Sequence, residues 1–287
     1  MSNMIQWFKG MVMWDGILLP VVANGASLDW NTNYSVPALA GNYHEQNYIE
    51  GVQIPMADLQ LLSVDGEETK NPILATFLNK IMTSSADAAY DVSGYDFSFF
   101  DGYSGWSGLK AKANSFNIRG AKGEDVGISL NLMCYKPVAS TITSITTAPT
   151  THNGWSGAPV RFQSLIFKKN GTAFDGVVSF NLTYSNGLTP DMSMGGSAQQ
   201  VYPIDCNAGL PTCALQLVFH ANNVGHLAEG DSFEIDISQG SSIANLACAK
   251  LLPGTLKQRN IGGGRQMRVY QCRVVGGNNS NPPLVVT

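Results

Sequence analysis

Charge is what this chain is short of. Asp, Glu, Lys and Arg make up 13% of its 287 residues, against roughly 25% in an ordinary globular protein. The net charge is −4. A nucleic-acid grip needs clustered Lys and Arg to neutralise phosphates. Only the end of the chain is basic, at Lys250, Lys257, Arg259, Arg265, Arg268 and Arg273, which reads as an exposed, solvated hairpin. No apolar run approaches the roughly 20 residues of a helical membrane span. Cysteine is sparse and odd in number: Cys134, Cys206, Cys213, Cys248 and Cys272, with no C-x-x-C pair. That argues against a disulfide framework and a zinc site and predicts buried thiols in a reducing compartment, although Cys206 and Cys213 could meet across a short loop. The opening stretch to Pro20 is broken by Lys9 and Asp15 and lacks a clean signal-peptide core.

Catalytic sets are lacking as well. No Gly-x-Ser-x-Gly elbow occurs. His220 and His226 flank a loop, but no third ligand stands at metal-binding spacing. Gly262-Gly263-Gly264-Arg265 lacks the Lys-Ser/Thr of a phosphate loop. Glu234 and Asp236 share one strand face, with Asp231 nearby, which is what any acidic wet face looks like. The residues thus offer no catalytic residue, no metal ligand set and no cofactor site, and the chain reads as no enzyme.

Hydrophobic residues reach 44%, ample for a core, so the polar surface must be built from Ser, Thr, Asn, Gln and Gly. Neutral polar groups are easier to desolvate than charges, which suits wide packed interfaces. The most informative stretch is Val177 to Tyr184, V-V-S-F-N-L-T-Y. Val178, Phe180, Leu182 and Tyr184 form one face; Val177, Ser179, Asn181 and Thr183 form the other. That period of two marks a half-solvated strand. Similar strands are predicted at Val52 to Val64, Tyr95 to Phe100, Leu109 to Ile118, Val126 to Tyr135, Val160 to Lys169, Val201 to Asp205, Ala214 to Ala221 and Phe233 to Ile237.

An opening hairpin is predicted from Val12 to Leu28, with turns at Asp15-Gly16 and Asn24-Gly25. A closing one pairs Leu246 to Leu252 with Gln266 to Val275. One helix is expected over about residues 72–83, capped by Asn71, with Pro72 at its first position. The fold class is therefore mainly β. Val138 to Gly154 is rich in Ser and Thr and free of Asp, Glu, Lys and Arg, so it reads as a linker or arm. It separates a first β domain, 1–137, from a second, 155–275, with an extended tail at 276–287.

From Ser179 to Val274 the chain resembles a phage tail tube protein of the long-tailed, siphovirus type. The residues that carry this are S-F-N-L-T-Y-S-N-G-L-T-P-D, the loop M-G-G-S, then V-Y-P-I-D, A-L-Q-L-V-F, S-F-E-I-D-I-S and the closing Q-M-R-V-Y-Q-C-R-V-V. The first half resembles the same domain less clearly, because it lacks the S-F-x-L strand. The resemblance implies β-sandwich or half-barrel domains whose inner sheet joins neighbours into a barrel-like ring, with rings stacked into a virion tube assembled in the host bacterial cytoplasm. It implies self-association, a trimeric, pseudo-hexameric ring if the domain is duplicated, contact with the tape measure, terminator and tail-tip proteins, and non-specific passage of double-stranded DNA during ejection.

On this basis Ser179, Asn181, Thr183, Glu234 and Asp236 are candidate lumen or wet-face residues. Asn31, Tyr34, Tyr43, Glu45 and Tyr48 are candidates for a ring-stacking loop. Two alternatives stay open. One is a carbohydrate- or receptor-binding β module exposing Tyr103, Trp106 and Trp155. The other is a single-ring terminator or distal tail protein. A glycoside hydrolase using Asp231 or Glu234 is the weaker third.

Overall fold

A computed structural model describes residues 10–35, 49–62, 74–82, 93–146, 159–192, 202–220, 227–239, 242–252, 257–261, 267–276 and 283–287. The first half holds β1 (Met11–Trp14), β2 (Ile17–Leu18), β3 (Val21–Asp29), β4 (Thr32–Ser35), β5 (Ile49–Gln53), β6 (Met56–Leu62), α1 (Leu74–Ile81), β7 (Tyr95–Phe100), β8 (Gly105–Ala121), β9 (Gly127–Tyr135) and β10 (Thr143–Ile145). The second holds β11 (Leu165–Lys169), β12 (Thr172–Ala173), β13 (Val177–Ser185), β14 (Thr189–Asp191), β15 (Asp205–Asn207), β16 (Thr212–His220), β17 (Phe233–Gln239), β18 (Ser242–Cys248), β19 (Lys250–Leu251), β20 (Lys257–Ile261), β21 (Met267–Val275) and β22 (Leu284–Val286). The fold is mainly β with one short helix, as the alternating pattern predicts.

Eight strands form one inner layer in the order β3-β6-β9-β8-β13-β16-β21-β20, every neighbouring pair antiparallel. The seam between halves is β8 against β13, running from Ser115↔Ser185 to Ala121↔Ser179. The layer is open: among the described residues β3 pairs only with β6, and β20 only with β21.

The two halves run through the same elements in the same order. Hairpins β1–β2 and β11–β12 open each half, turning at Asp15-Gly16 (φ 56°, 71°) and Asn170-Gly171 (φ 48°, 76°). Positive φ at both central residues is the hairpin turn that Asp-Gly and Asn-Gly favour. In both halves the first inner strand (β3, β13) leads through a small hairpin (β4–β5, β14–β15) to the second (β6, β16). An outer strand follows, pairing back to the opening hairpin: β7 with β1, β17 with β11. Strand β8 then does in one piece what β18, β19 and β20 do in three. Its first part pairs with β7 and β10, as β18 pairs with β17 and β22. Its second part pairs with β9, as β20 pairs with β21. Because β8 runs unbroken, the first half's outer strands join a 13-stranded sheet, whereas the second half's form a separate five-stranded sheet.

Of the strand predicted at Val201 to Asp205, only Asp205 among the described residues lies in a strand, as the first residue of β15; sequence and structure differ at three further places. Asn24-Gly25 is no turn: it lies within β3, at a shift in register between Val21 and Ala26. A Cβ on Gly25 would stand 2.4 Å from a Val22 methyl, so the glycine answers a close approach. Second, of the segment expected to pair with Gln266 to Val275, Lys250–Leu251 does so, but Leu246 to Cys248 lies in the outer sheet between β17 and β22, and the closing hairpin is β20–β21. Its alternation suits either partner, and long-range pairing decides. Third, Val160 to Ser164 forms no strand, and β11 begins at Leu165 after a 3-10 turn, Phe162–Ser164. Thr143–Ile145 of the Ser/Thr-rich segment is β10, and Leu284–Val286 of the tail is β22. Asn71 and Pro72 fall outside the described residues, and α1 begins at Leu74.

The layers meet through aromatic rings. Phe167 of β11 lies 5.7 Å from Phe180 of β13, and Phe174 lies 5.6 Å from Phe219 of β16. The core is continuous across the seam, with Phe116 of β8 stacked on Tyr184 of β13 at 5.3 Å. One buried amide also ties the halves: Asn186 Nδ2 donates to the carbonyls of Ile81 (2.8 Å) and Ala113 (2.7 Å). Removing a buried donor orphans its acceptors at about 1–3 kcal/mol. Asn186→Ala and Asn186→Asp should therefore both lower unfolding free energy in urea by about that amount. A loss under about 0.5 kcal/mol, the range of a neutral surface change, would show that the tie contributes nothing.

Candidate functional site: a polar face and a clasp

Side chains of an antiparallel sheet alternate between faces, so paired residues share one face. The core takes Phe180, Leu182 and Tyr184 of β13, all buried. The other face takes Ser179, Asn181 and Thr183, all half-exposed. Their neighbours extend it as a polar band. Ser115 and Asn117 stand on β8, Ser129 and Asn131 on β9, Gln60 on β6 and Gln216 on β16.

These groups largely satisfy one another. Asn117 Nδ2 donates to Asn181 Oδ1 and, at 2.9 Å, to Thr183 Oγ1. Ser129 Oγ donates to Gln60 Oε1 at 2.7 Å, and Asn131 Nδ2 to Asp58 Oδ1 at 2.7 Å. Arg119 stands directly opposite Asn181, Arg273 lies in the row of Thr183, and Asp58 stands opposite Asn131, all three exposed. The face is therefore mostly neutral, with a few charges of both signs.

Glu234 and Asp236 lie elsewhere, on β17 of the five-stranded sheet, facing away from the core. The sheets pack face to face, so this acidic pair and the Ser179 row look in opposite directions. Asp236 is bridged by Lys168 and accepts from Asn245. The Lys168 ammonium is held above its ordinary pKa, chiefly by its hydrogen bond to Asp236 and against a smaller burial effect. Burial works to raise the Asp231 pKa, but hydrogen bonds from the Ala228 N–H and Asn170, with Lys169 beside it, leave the carboxyl below the usual range. It is an ionised turn anchor and a poor proton donor. A cleft of about 440 Å³ at the strand end near Lys122, Phe174 and His220 is lined by neither Asp231 nor Glu234.

Of the loop candidates, Asn31 has a positive φ of 41°, and its Nδ2 donates to the Ile54 carbonyl at 3.3 Å. Tyr34 stands on β4 opposite Glu50. Tyr43, Glu45 and Tyr48 lie outside the described residues, as do Trp155 and His226. Tyr103 is 73% exposed and Trp106 37%, the latter edge-on to Trp30 at 5.2 Å.

Sequence reasoning missed Lys112. In K-A-K-A, Lys110 to Ala113, it looks like a wet-face residue, yet its side chain is only 4% exposed. The β14–β15 hairpin folds back from the second half and covers it. Lys112 Nζ lies 2.9 Å from both the Cys206 carbonyl and Asp205 Oδ1. Met133, Tyr135, Leu188 and Cys206 close around this clasp as a small apolar cluster. A repeated signal was also available: A-D-L-Q-L-L at Ala57 to Leu62 and C-A-L-Q-L-V at Cys213 to Val218. These are β6 and β16, the same strand of each half.

All five cysteines are free and buried. Burial pushes the Cys206 and Cys272 thiols up to about 12 and raises Cys134 further. Cys248 is raised by its hydrogen bond with Cys213 and by burial. Thiolates, not thiols, react. The folded protein should therefore label negligibly with a thiol reagent at pH 8 and fully in denaturant; prompt labelling of the folded form would contradict this packing. Lys112→Ala should cost about 2 kcal/mol in urea, mostly from the orphaned carbonyl, while Lys168→Ala should leave the urea midpoint nearly unmoved. Equal effects would refute the clasp's importance.

A family model described as phage tail tube protein matches residues 9–270 of the chain. No curated protein matches it.

Proposed function

The chain belongs to the phage tail tube proteins, and on that premise we propose that three copies close a ring through their inner layers and that rings stack into a channel for DNA. The family's structural role makes the chain a component of the virion tail. The observation that carries the ring reading is the β8·β13 seam. Each half contributes four inner strands in the same order, and one joint between halves is already made inside the chain. The same joint repeated between copies would run from β20 of one to β3 of the next. Both are free edges of the inner layer among the described residues, and closing a ring removes such edges.

Three copies of eight strands give about 24, which at ~4.8 Å spacing and ~40° tilt make a backbone ring roughly 48 Å across. Side chains take about 10 Å of that, leaving a bore that admits duplex DNA. Among the described residues the free edges that match the seam belong to the inner layer, so the Ser179, Asn181 and Thr183 face is assigned to the bore and Glu234 and Asp236 to the outer wall. A lining that is mostly neutral and internally satisfied, with Asp58 offsetting part of the charge of Arg119 and Arg273, lets phosphates slide where a strongly basic one would hold them. Assembly on tape measure and tip proteins in the host cytoplasm, with a terminator ending the tube, completes the reading.

Register makes it testable. Thr183 lies opposite Asn117 in the seam. The L-Q-L strands align Ser27 with Thr183 through Leu28↔Ala57 and Tyr184↔Cys213. They align Lys257 with Asn117 through Ser129↔Gln60 and Gln271↔Gln216. Ser27→Cys combined with Lys257→Cys should therefore yield covalent trimers under mild oxidation, and electron microscopy of concentrated wild-type protein should show tubes of stacked rings. A protein that stays monomeric, even on tail-tip nuclei, and forms no such disulfide would sink the proposal.

A further inference from the structure

Inside one chain, the hairpin joining the first two inner strands of the second half reaches sideways onto the half before it. That hairpin, β14–β15, leaves β13, crosses to β8 and β9, and buries Lys112 under Asp205 and the Cys206 carbonyl. Its counterpart in the first half is β4–β5, which joins β3 to β6. Among the described residues no inner strand lies beyond β3 for that hairpin to cover.

The pairing also identifies the counterpart of Lys112. In the first half Ala57, Leu132 and Ala113 are paired across β6, β9 and β8. In the second, Cys213, Val274 and Leu251 are paired across β16, β21 and β19. One residue back, Lys112 stands opposite Met133, and Lys250 opposite Val275. The same residue type occupies both positions, yet Lys112 is buried and Lys250 is exposed. What differs is the cover: Lys112 has a hairpin over it. The returning strand β15 brings the acid Asp205 to Lys112, and the returning strand β5 carries the acid Glu50.

We propose that the β4–β5 hairpin of each copy folds sideways onto the neighbouring copy in the same ring and clasps it at Lys250, with Glu50 as the acidic partner. The inference rests on the ring reading above and gives the hairpin a lateral partner, a second copy of this chain. The sequence had suggested an axial one, with Asn31 and Tyr34 in a stacking loop. In the ring, each β20·β3 joint is then reinforced by a clasp of the kind that β14–β15 already makes beside the β8·β13 seam.

The test uses the full-length protein, assembled from an equal mixture of isotope-labelled and unlabelled copies. A carbodiimide couples carboxylates to amines that are in direct contact, and peptides are read by mass spectrometry. Mixed-isotope peptides joining Lys250 to Glu50 are expected. In parallel, Lys250→Glu should slow ring formation at least tenfold while leaving the monomer's urea midpoint unchanged. The clasp is overturned if rings form and the Ser27–Lys257 disulfide appears, but Lys250 yields no mixed-isotope peptide with β5. It is also overturned if β5 couples instead to the 122–125 turn at the opposite strand end, since that contact lies between stacked rings, or if Lys250→Glu assembles at the normal rate. Loss of rings and of the disulfide in the unsubstituted background overturns the ring reading itself, and the clasp with it.

Discussion

Everything else in this molecule depends on one antiparallel joint, the pairing of β8 with β13 from Ser115↔Ser185 to Ala121↔Ser179. Without it the chain would be two sheets of four inner strands, each with two bare edges. With it, those sheets become one layer, and the wet rows of both halves come into line. The joint also fixes register: a one-residue slip would turn Phe180, Leu182 and Tyr184 out to water and bring Ser179, Asn181 and Thr183 into the core. Burying three large apolar side chains is worth several kcal/mol, so the slip is forbidden. Asn186 and Lys112 sit beside the same joint and tie the second half's connecting loop to the first half's strands.

How much of this could be read from sequence depended on how local the signal was. The strand from Val177 was legible because its alternation is clean, and the helix because its apolar stripe has helical spacing. The turn at Asn24-Gly25 was misread because Asn-Gly marks a backbone shape that also serves a strand irregularity. The strand at Leu246 to Cys248 was given the wrong partner because alternation reports a face and says nothing of the neighbour. Lys112 could not be found: a lysine between alanines looks solvated until a hairpin from about ninety residues further along the chain covers it. The L-Q-L pair at 59–61 and 215–217 was visible throughout. It aligns the halves strand by strand.

The low charge content now has a location. On the inner face, amides and hydroxyls of Gln60, Asn117, Ser129, Asn131, Asn181 and Thr183 bond across strands. Such a network spends its donors internally, which stiffens the sheet. The charges among these rows are few, Asp58, Arg119 and Arg273, and the outer sheet carries Lys168, Glu234 and Asp236.

The rim charges bear on a hazard that any open eight-stranded layer faces. An unpaired edge recruits other edges indiscriminately, including its own kind. The first edge carries Asp29, with Asp58 beside it on β6, both exposed. The last edge strand carries Lys257 and Arg259. Pairing two first edges would bring carboxylates together, and pairing two last edges would bring cations together; only a first edge against a last one joins opposite signs. In the internal seam, whose two strands are linked in one chain, Lys257 is matched by the neutral Asn117 and Asp29 by the neutral Ser185, while Arg259 is matched by Arg119. Opposite signs on the two edges therefore favour the unlike pairing where a partner must be chosen. That pattern is what a sheet built to close head-to-tail requires, since rejecting the like edge contributes as much to specificity as attracting the unlike one.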